Sequence, residues 1–327
     1  MLNKIILSIL FCVSVCLLPL YGYGEDFNVQ SKSVFQWDTR ADFIAYYFQD
    51  NTTHAFLQAG GYYVVLSYNN KAFDVVKTSS REYRGFDVAD SILDDFAAEN
   101  QMIGNTGGER TIKVGDNLYI GLFGKSTNAI KVRSPLIHDP IVIIENGKEY
   151  EVENCSYVGD LAETLFVDHK NLKVYFRGEV EEKTGIAVCD VKKKEAKLIF
   201  KDDDNNKKWY NPEYNSPIRI PNTGFLMFCK LPGFYSGKFT TDILIAEIPE
   251  WKAEIEKQKE NERLYPKAKK YLINGPANIR DNPKGKSIAY LNDFTEVLVI
   301  EQSGDWYKVV YADVIGWTFK DNLRINT

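Results

Sequence analysis

Along residues 26–248 the apolar positions fall in short runs broken by polar turns, and they recur at helical spacing only once. Short apolar or alternating runs bounded by Gly, Asn and Asp predict strands. Tyr62–Tyr68 and Ala72–Val76 flank Asn69-Asn70, and Ile141–Glu145 and Glu149–Glu153 flank Asn146-Gly147. Asn-Gly accepts positive φ at both central positions of a tight hairpin, so this pair is the strongest turn signal of the set. Leu165–Asp168 and Leu172–Phe176 flank His169, Lys170 and Asn171 in the same way. Hairpin connections predict antiparallel sheets. The exception is Val88, Ile92, Leu93 and Phe96 behind Asp87, where helical spacing and an N-cap residue predict one short helix.

The pattern changes at residue 249. Pro249 as a helix start, Trp251, Ile255 and Leu264 among Glu and Lys, and Pro266 as a stop predict a charged helix over 249–265. With so few apolar anchors it reads as a linker, 249–267. Beyond it, Val297–Ile300, Tyr307–Tyr311 and Ile315–Phe319 are again strand-like and separated by Gly or Asp turns. The expected fold is therefore mainly β: a large antiparallel domain over 25–248, a helical linker, and a small β domain over 268–327.

The N-terminus has a different logic. Lys4, the apolar run Ile5–Leu18, and Gly22 and Gly24 before Glu25 have the layout of a secretory signal peptide, residues 1–24. A 14-residue apolar run is short of the roughly 20 residues that cross a bilayer. No later stretch is long enough either, so the expected product is periplasmic or extracellular, without a membrane span once the signal is cleaved. Removing Lys4 with the leader leaves 39 basic residues against 45 acidic, a charge of −6. Nucleic acid would require the opposite sign. Cys155, Cys189 and Cys229 remain, an odd number lying in or beside apolar runs, where Cys packs as a small hydrophobe and at most one disulfide forms.

Three motifs near the C-terminus occur in a telling order: Ala277-Asn278-Ile279-Arg280 with Pro283, Gly304-Asp305-Trp306-Tyr307-Lys308-Val309, and Gly316-Trp317 with Leu323. Together they resemble the bacterial SH3 domain (SH3b type), over about 60 residues. Asp281-Asn282 stands where that family has Ser-Gly, and Asn322 where Tyr or Ser is frequent. The resemblance implies an SH3-like β-barrel that binds peptidoglycan stems or envelope proteins through an aromatic groove, with Asn278, Arg280, Tyr290, Trp306, Tyr307 and Trp317 as its candidate residues. More loosely, Phe166–Phe200 resembles a blade of a TolB-like, WD-type β-propeller, and Ile186-Ala187-Val188-Cys189-Asp190 and Ile243-Leu244-Ile245-Ala246-Glu247 share its closing pattern. Similar segments start at Tyr62, Leu118, Gly185 and Thr241, spacings of 56, 67 and 56 residues. The large domain is thus expected to be an irregular propeller or, alternatively, a β-sandwich.

Catalytic patterns fail on context. Asn154-Cys155-Ser156-Tyr157 echoes a papain-like cell-wall peptidase, yet a strand-like run precedes it and no helix follows. Gly121-Leu122-Phe123-Gly124-Lys125-Ser126 ends like a phosphate loop without the helix that would hold the phosphate. His54, His138 and His169 lie on separate hairpins, too scattered for a zinc site. Asp202, Asp204, Asn206 and Glu213 match positions 1, 3, 5 and 12 of a calcium loop, but Lys207 replaces its glycine. The expectation is a non-catalytic binding protein of the cell envelope, needing no cofactor, with peptidoglycan or an envelope protein as partner. The alternatives are a cell-wall hydrolase with its site in the large domain, or a protein-interaction scaffold.

Overall fold

A computed structural model describes residues 31–39, 41, 43–59, 62–69, 72–78, 101–102, 105–106, 111–121, 137–159, 164–202, 213–232 and 240–325. The chain is mainly β, built from antiparallel sheets. The expected leader, the helix expected behind Asp87 and most of the phosphate-loop echo lie outside these residues. Among them no helix is long and apolar enough to cross a membrane.

Up to residue 247 the strands form four consecutive meanders. The first is Phe43–Gln49, Thr52–Ala59, Tyr62–Asn69 and Ala72–Thr78; Gln101–Met102 adds to its first strand. The second is Thr111–Gly115, Leu118–Gly121, Ile137–Glu145 and Lys148–Gly159, and the third is Thr164–Asp168, Lys173–Val180, Lys183–Asp190 and Glu195–Lys201. In the second, Asn146 and Gly147 both take positive φ, 50° and 78°, as an Asn-Gly hairpin requires. The fourth is Glu213–Arg219, Phe225–Leu231 and Thr241–Glu247, completed by the N-terminal strand Ser31–Trp37. Thr241 fastens that junction: its hydroxyl donates to the carbonyl oxygen of Thr39 at 2.8 Å and accepts the Ala41 N–H at 2.7 Å.

The second and third meanders are not separate units. Cys155–Tyr157 pairs with Gly178–Val180, and this fuses them into a nine-stranded sheet that also includes Asn105–Thr106. Lys173–Val180 and Lys183–Asp190 run through its middle and are buried on both faces. Tyr175, Ile186 and Val188 enter one hydrophobic cluster with Tyr46, Leu57, Phe228, Ile243 and Trp251, whereas Val174, Phe176, Ala187 and Cys189 enter a second with Ile120, Ile141 and Val152. Double-sided burial is why Ile186–Cys189 reads as an unbroken apolar run instead of an alternating one. Gly185 sits where this strand meets its neighbour, and a Cβ there would lie 1.9 Å from the carbonyl oxygen of Phe200. Gly185→Ala is expected to destabilise the protein by about 2–3 kcal/mol, because backbone and not a movable side chain must give way; urea unfolding measures it.

Helix α1, Pro249–Leu264, starts at the predicted proline. After it come Lys269–Ile273, the hairpin Ala277–Arg280 and Ser287–Leu291, the meander Glu296–Ser303, Trp306–Tyr311 and Val314–Phe319, a 3-10 turn at Lys320–Asn322, and Leu323–Ile325. These make one seven-stranded sheet with Ser287–Leu291 and Leu323–Ile325 at its edges. Its hydrogen-bonded ladder is therefore open, in contrast to the closed barrel expected from sequence. Its own core contains Ile273, Ile279, Leu291, Val297, Val309 and Tyr311. Leu272 and Phe294 instead reach into the first cluster of the large region.

Candidate functional site

In the C-terminal sheet, Trp306 pairs with Phe319, Lys308 with Trp317 and Val310 with Ile315. Directly opposed residues share a face, and the alternate positions Val309 and Tyr311 fill the core. Trp306, Lys308, Trp317 and Phe319 consequently stand on the face turned away from that core. The Trp306 ring meets Phe319 edge-on, with centroids 5.6 Å apart. The Lys308 ammonium lies 5.7 Å from the Trp317 ring centroid and 3.4 Å from a Glu301 carboxylate oxygen. Arg280 is the cross-strand partner of Trp317, and its Nη1 donates to the carbonyl oxygen of Gly285 at 2.7 Å.

The six residues expected to form one groove are thereby divided. Arg280, Trp306 and Trp317 share the face turned away from the module's core, on which Trp317 is itself buried beneath Lys308. Tyr307 packs against the module's core, its ring 6.1 Å from Tyr271. Asn278 and Tyr290, opposite each other on the hairpin, belong to a third region: Asn278 accepts the Ser287 hydroxyl at 3.0 Å, and Tyr290 packs on the large region. Lys308 and Phe319 lie on the same face as Trp306 and were not among the expected residues, although the alternation within Trp306-Tyr307-Lys308-Val309 already separates the two faces.

Beneath the module lies a buried polar junction that centres on α1. Trp251 is fully buried between Phe166 and Tyr175, at 5.8 and 5.0 Å, with the Arg219 guanidinium 4.9 Å from its ring. Its indole N–H donates to Asp168 at 2.6 Å. One turn on, Glu254 accepts from Arg219 at 2.8 Å, Asn171 at 2.9 Å and the Tyr311 hydroxyl at 3.2 Å, and it pairs with Lys170 at 3.1 Å. Gln258 accepts the N–H of Ala312 at 3.0 Å, and Asn261 donates to the same residue's carbonyl at 2.8 Å. Ala312 holds a left-handed φ of 49° in the turn before Val314, so the helix reads both polar groups of one strained residue. A pocket of about 30 Å³ beside the junction, bordered by Arg219, Asn222, Asn292 and Tyr311, has room for about one water.

Comparison with protein-family models, with curated proteins and with solved structures finds no match. The chain must therefore be read from its own residues. Asp202 of the calcium-loop pattern is buried and bound to Arg177 at 3.3 Å and Thr184 at 2.9 Å; Asp204 and Asn206 lie outside the described residues, as does the side chain of Glu213. Among the described residues no three His, Cys, Asp or Glu side chains are placed to hold a metal. Cys155 is a buried thiol in a strand, its pKa pushed up to about 12 by burial, so it is protonated at neutral pH. Cys189 and Cys229 are likewise buried and outside any disulfide.

Proposed function

We propose that this protein is an exported, non-catalytic binding protein of the bacterial cell envelope, in which an SH3-type module attaches a large β domain to peptidoglycan or to an envelope protein. The observation that carries the reading is the half-buried aromatic pair Trp306 and Phe319 on one face, backed by the buried Trp317 and flanked by Lys308 and Arg280. Aromatic rings give sugar rings and apolar stems a flat surface to lie on, and the cations suit their carboxylates. The strand order of the module supports the SH3 reading: one strand, a hairpin, a three-stranded meander, a 3-10 turn and a last strand back on the first. For the large domain, the N-terminal strand that completes the last meander supports an irregular propeller, from whose separate blades the fused nine-stranded sheet departs.

Co-sedimentation of the mature protein with isolated peptidoglycan sacculi tests the attachment. Deleting the module would uncover Glu254 and withdraw Leu272 and Phe294 from the larger core, so a surface substitution is the cleaner probe. The wild type is expected to pellet, and Trp306→Ala to lose most of its binding with an unchanged melting temperature. A wild type that stays in the supernatant rejects wall binding, and the module is then better read as a protein-interaction domain.

A further inference from the structure

Asn-Gly occurs twice in the chain, at Asn146-Gly147 and Asn274-Gly275. Gly has no side chain to shield its nitrogen, so that nitrogen can attack the side-chain amide of the preceding Asn. The surroundings of the two pairs differ. Asn146 and Gly147 are exposed at a hairpin tip, beyond the last ladder pair Glu145 and Lys148. The Asn146 backbone N–H donates to the carbonyl oxygen of Asn117 at 2.9 Å, but among the described residues its side-chain amide and the Gly147 N–H have no partner. At the second pair, Asn274 Nδ2 donates to the carbonyl oxygen of Asp321 at 3.3 Å, and the Gly275 N–H donates to an Asp293 carboxylate oxygen at 3.0 Å. A Cβ at either glycine would meet nothing within 4 Å, so the difference is one of hydrogen bonding and not of packing. We infer that Asn146 is a site of spontaneous deamidation and isoaspartate formation in the folded protein, and that Asn274 is protected from it. The inference is independent of what the module binds.

The Gly147 N–H loses its proton to base, and the nitrogen attacks Asn146 Cγ. The N–Cγ bond forms, the Cγ–Nδ2 bond breaks, and Nδ2 leaves as ammonia. Water then opens the cyclic imide at either carbonyl, which gives aspartate or isoaspartate with base and water as the only co-reactants. At the hairpin tip the Asn146–Gly147 peptide has only to rotate for its nitrogen to reach Cγ. At Asn274 two hydrogen bonds must first be given up, and the attacking nitrogen must lose its proton beside the Asp293 carboxylate, which disfavours a second negative charge. In isoaspartate the main chain runs through Cβ and Cγ, so a methylene is inserted between residues 146 and 147. A two-residue turn with both residues at positive φ has no slack for it, and the Glu145–Lys148 pair and the bond to Asn117 are the first to yield. Either product also adds a negative charge beside Glu145, whose carboxylate pairs with Lys194 at 3.0 Å.

Peptide mapping by mass spectrometry, on the full mature chain held folded in mildly alkaline buffer, reads the products at both positions. Asn146 is expected to react at least about tenfold faster than Asn274, which must give up two hydrogen bonds, one of them to a carboxylate. In denaturant the two should react at similar rates, because only the fold distinguishes them. Asp293→Asn removes the charge beside the Gly275 nitrogen and should raise the rate at Asn274 while leaving Asn146 unchanged. If that variant does not fold, the comparison of folded with denatured wild type decides alone. The inference is overturned if Asn146 stays intact in the folded chain while the denatured chain reacts, or if both positions react equally in the folded chain. An Asn274 rate unmoved in a folded Asp293→Asn variant would overturn the protection assigned to that carboxylate.

Discussion

Glu254→Ala is expected to destabilise the protein by about 3–5 kcal/mol, the loss typical when one member of a buried ion pair is removed. Glu254 is 6% exposed on a helix whose neighbours are largely solvated, and it is the anion that answers both Arg219 and Lys170. Its removal leaves Arg219 as a desolvated cation and Lys170 with Asp313 alone, and the Tyr311 hydroxyl and Asn171 amide each lose an acceptor. The loss should far exceed that from breaking an exposed pair such as Lys252–Glu247, which solvent screens. Replacing Arg219 and Glu254 together by Met and Leu should recover much of the loss, since two apolar groups leave no uncompensated charge between them. Acid should mimic the single substitution. Burial alone would raise the Glu254 pKa, but Arg219 and Lys170 outweigh it and hold the carboxyl below its usual 4.5. Its contribution is thus complete above about pH 4.5 and fades as pH falls through the lowered value. Urea unfolding across that range, followed by tryptophan fluorescence, should show a steeper acid loss in the wild type than in Glu254→Gln.

Trp251→Ala should cost about as much, 3–5 kcal/mol or roughly so, for a different reason. The indole is fully buried where α1 meets the larger core, against Phe166, Tyr175 and Arg219. Truncation leaves a cavity walled by strands from several sheets, which cannot collapse together. Trp251→Phe separates packing from polarity: it keeps most of the volume but deprives Asp168 of its indole donor, a loss of about 1–3 kcal/mol. If Trp251→Phe proves as damaging as Trp251→Ala, the hydrogen bond and not the volume dominates.

The strand pattern was largely legible because hairpin turns are local. Asn146-Gly147 states its own geometry, and Tyr62, Ala72 and Val297 each lie at or next to the strand start that alternation suggests. The helix was legible in extent and opaque in role. Its buried positions, Trp251, Glu254, Gln258 and Asn261, are spaced three or four apart as an inward face must be. Three of the four are polar, however, and Leu264, which looks like an anchor, is 62% exposed. Polarity conceals burial when the partners are Arg219, Lys170 and the backbone of Ala312, each distant in sequence. The same blindness divided the expected groove: the resemblance implies Tyr290 in one groove with Trp317, and only the fold shows that Tyr290 packs on His169 of the large region. The fusion of two meanders through Cys155–Tyr157 depends on a pairing with Gly178–Val180 for which no turn residue gives notice.

The pairing of Ser31–Trp37 with Thr241–Glu247 also sets a schedule for biosynthesis. Ser31 lies opposite Ala246 and Trp37 opposite Thr241, so the first strand made must wait for its partner across some two hundred residues. At ordinary rates of synthesis that wait is about 10–40 s. During it Val34, Phe35 and Trp37, which finally pack on the larger core, have no sheet to join. A chain of this design can close its fourth meander only once Thr241–Glu247 has been made, long after the strands of the first three, and until then its opening strand stays unclaimed.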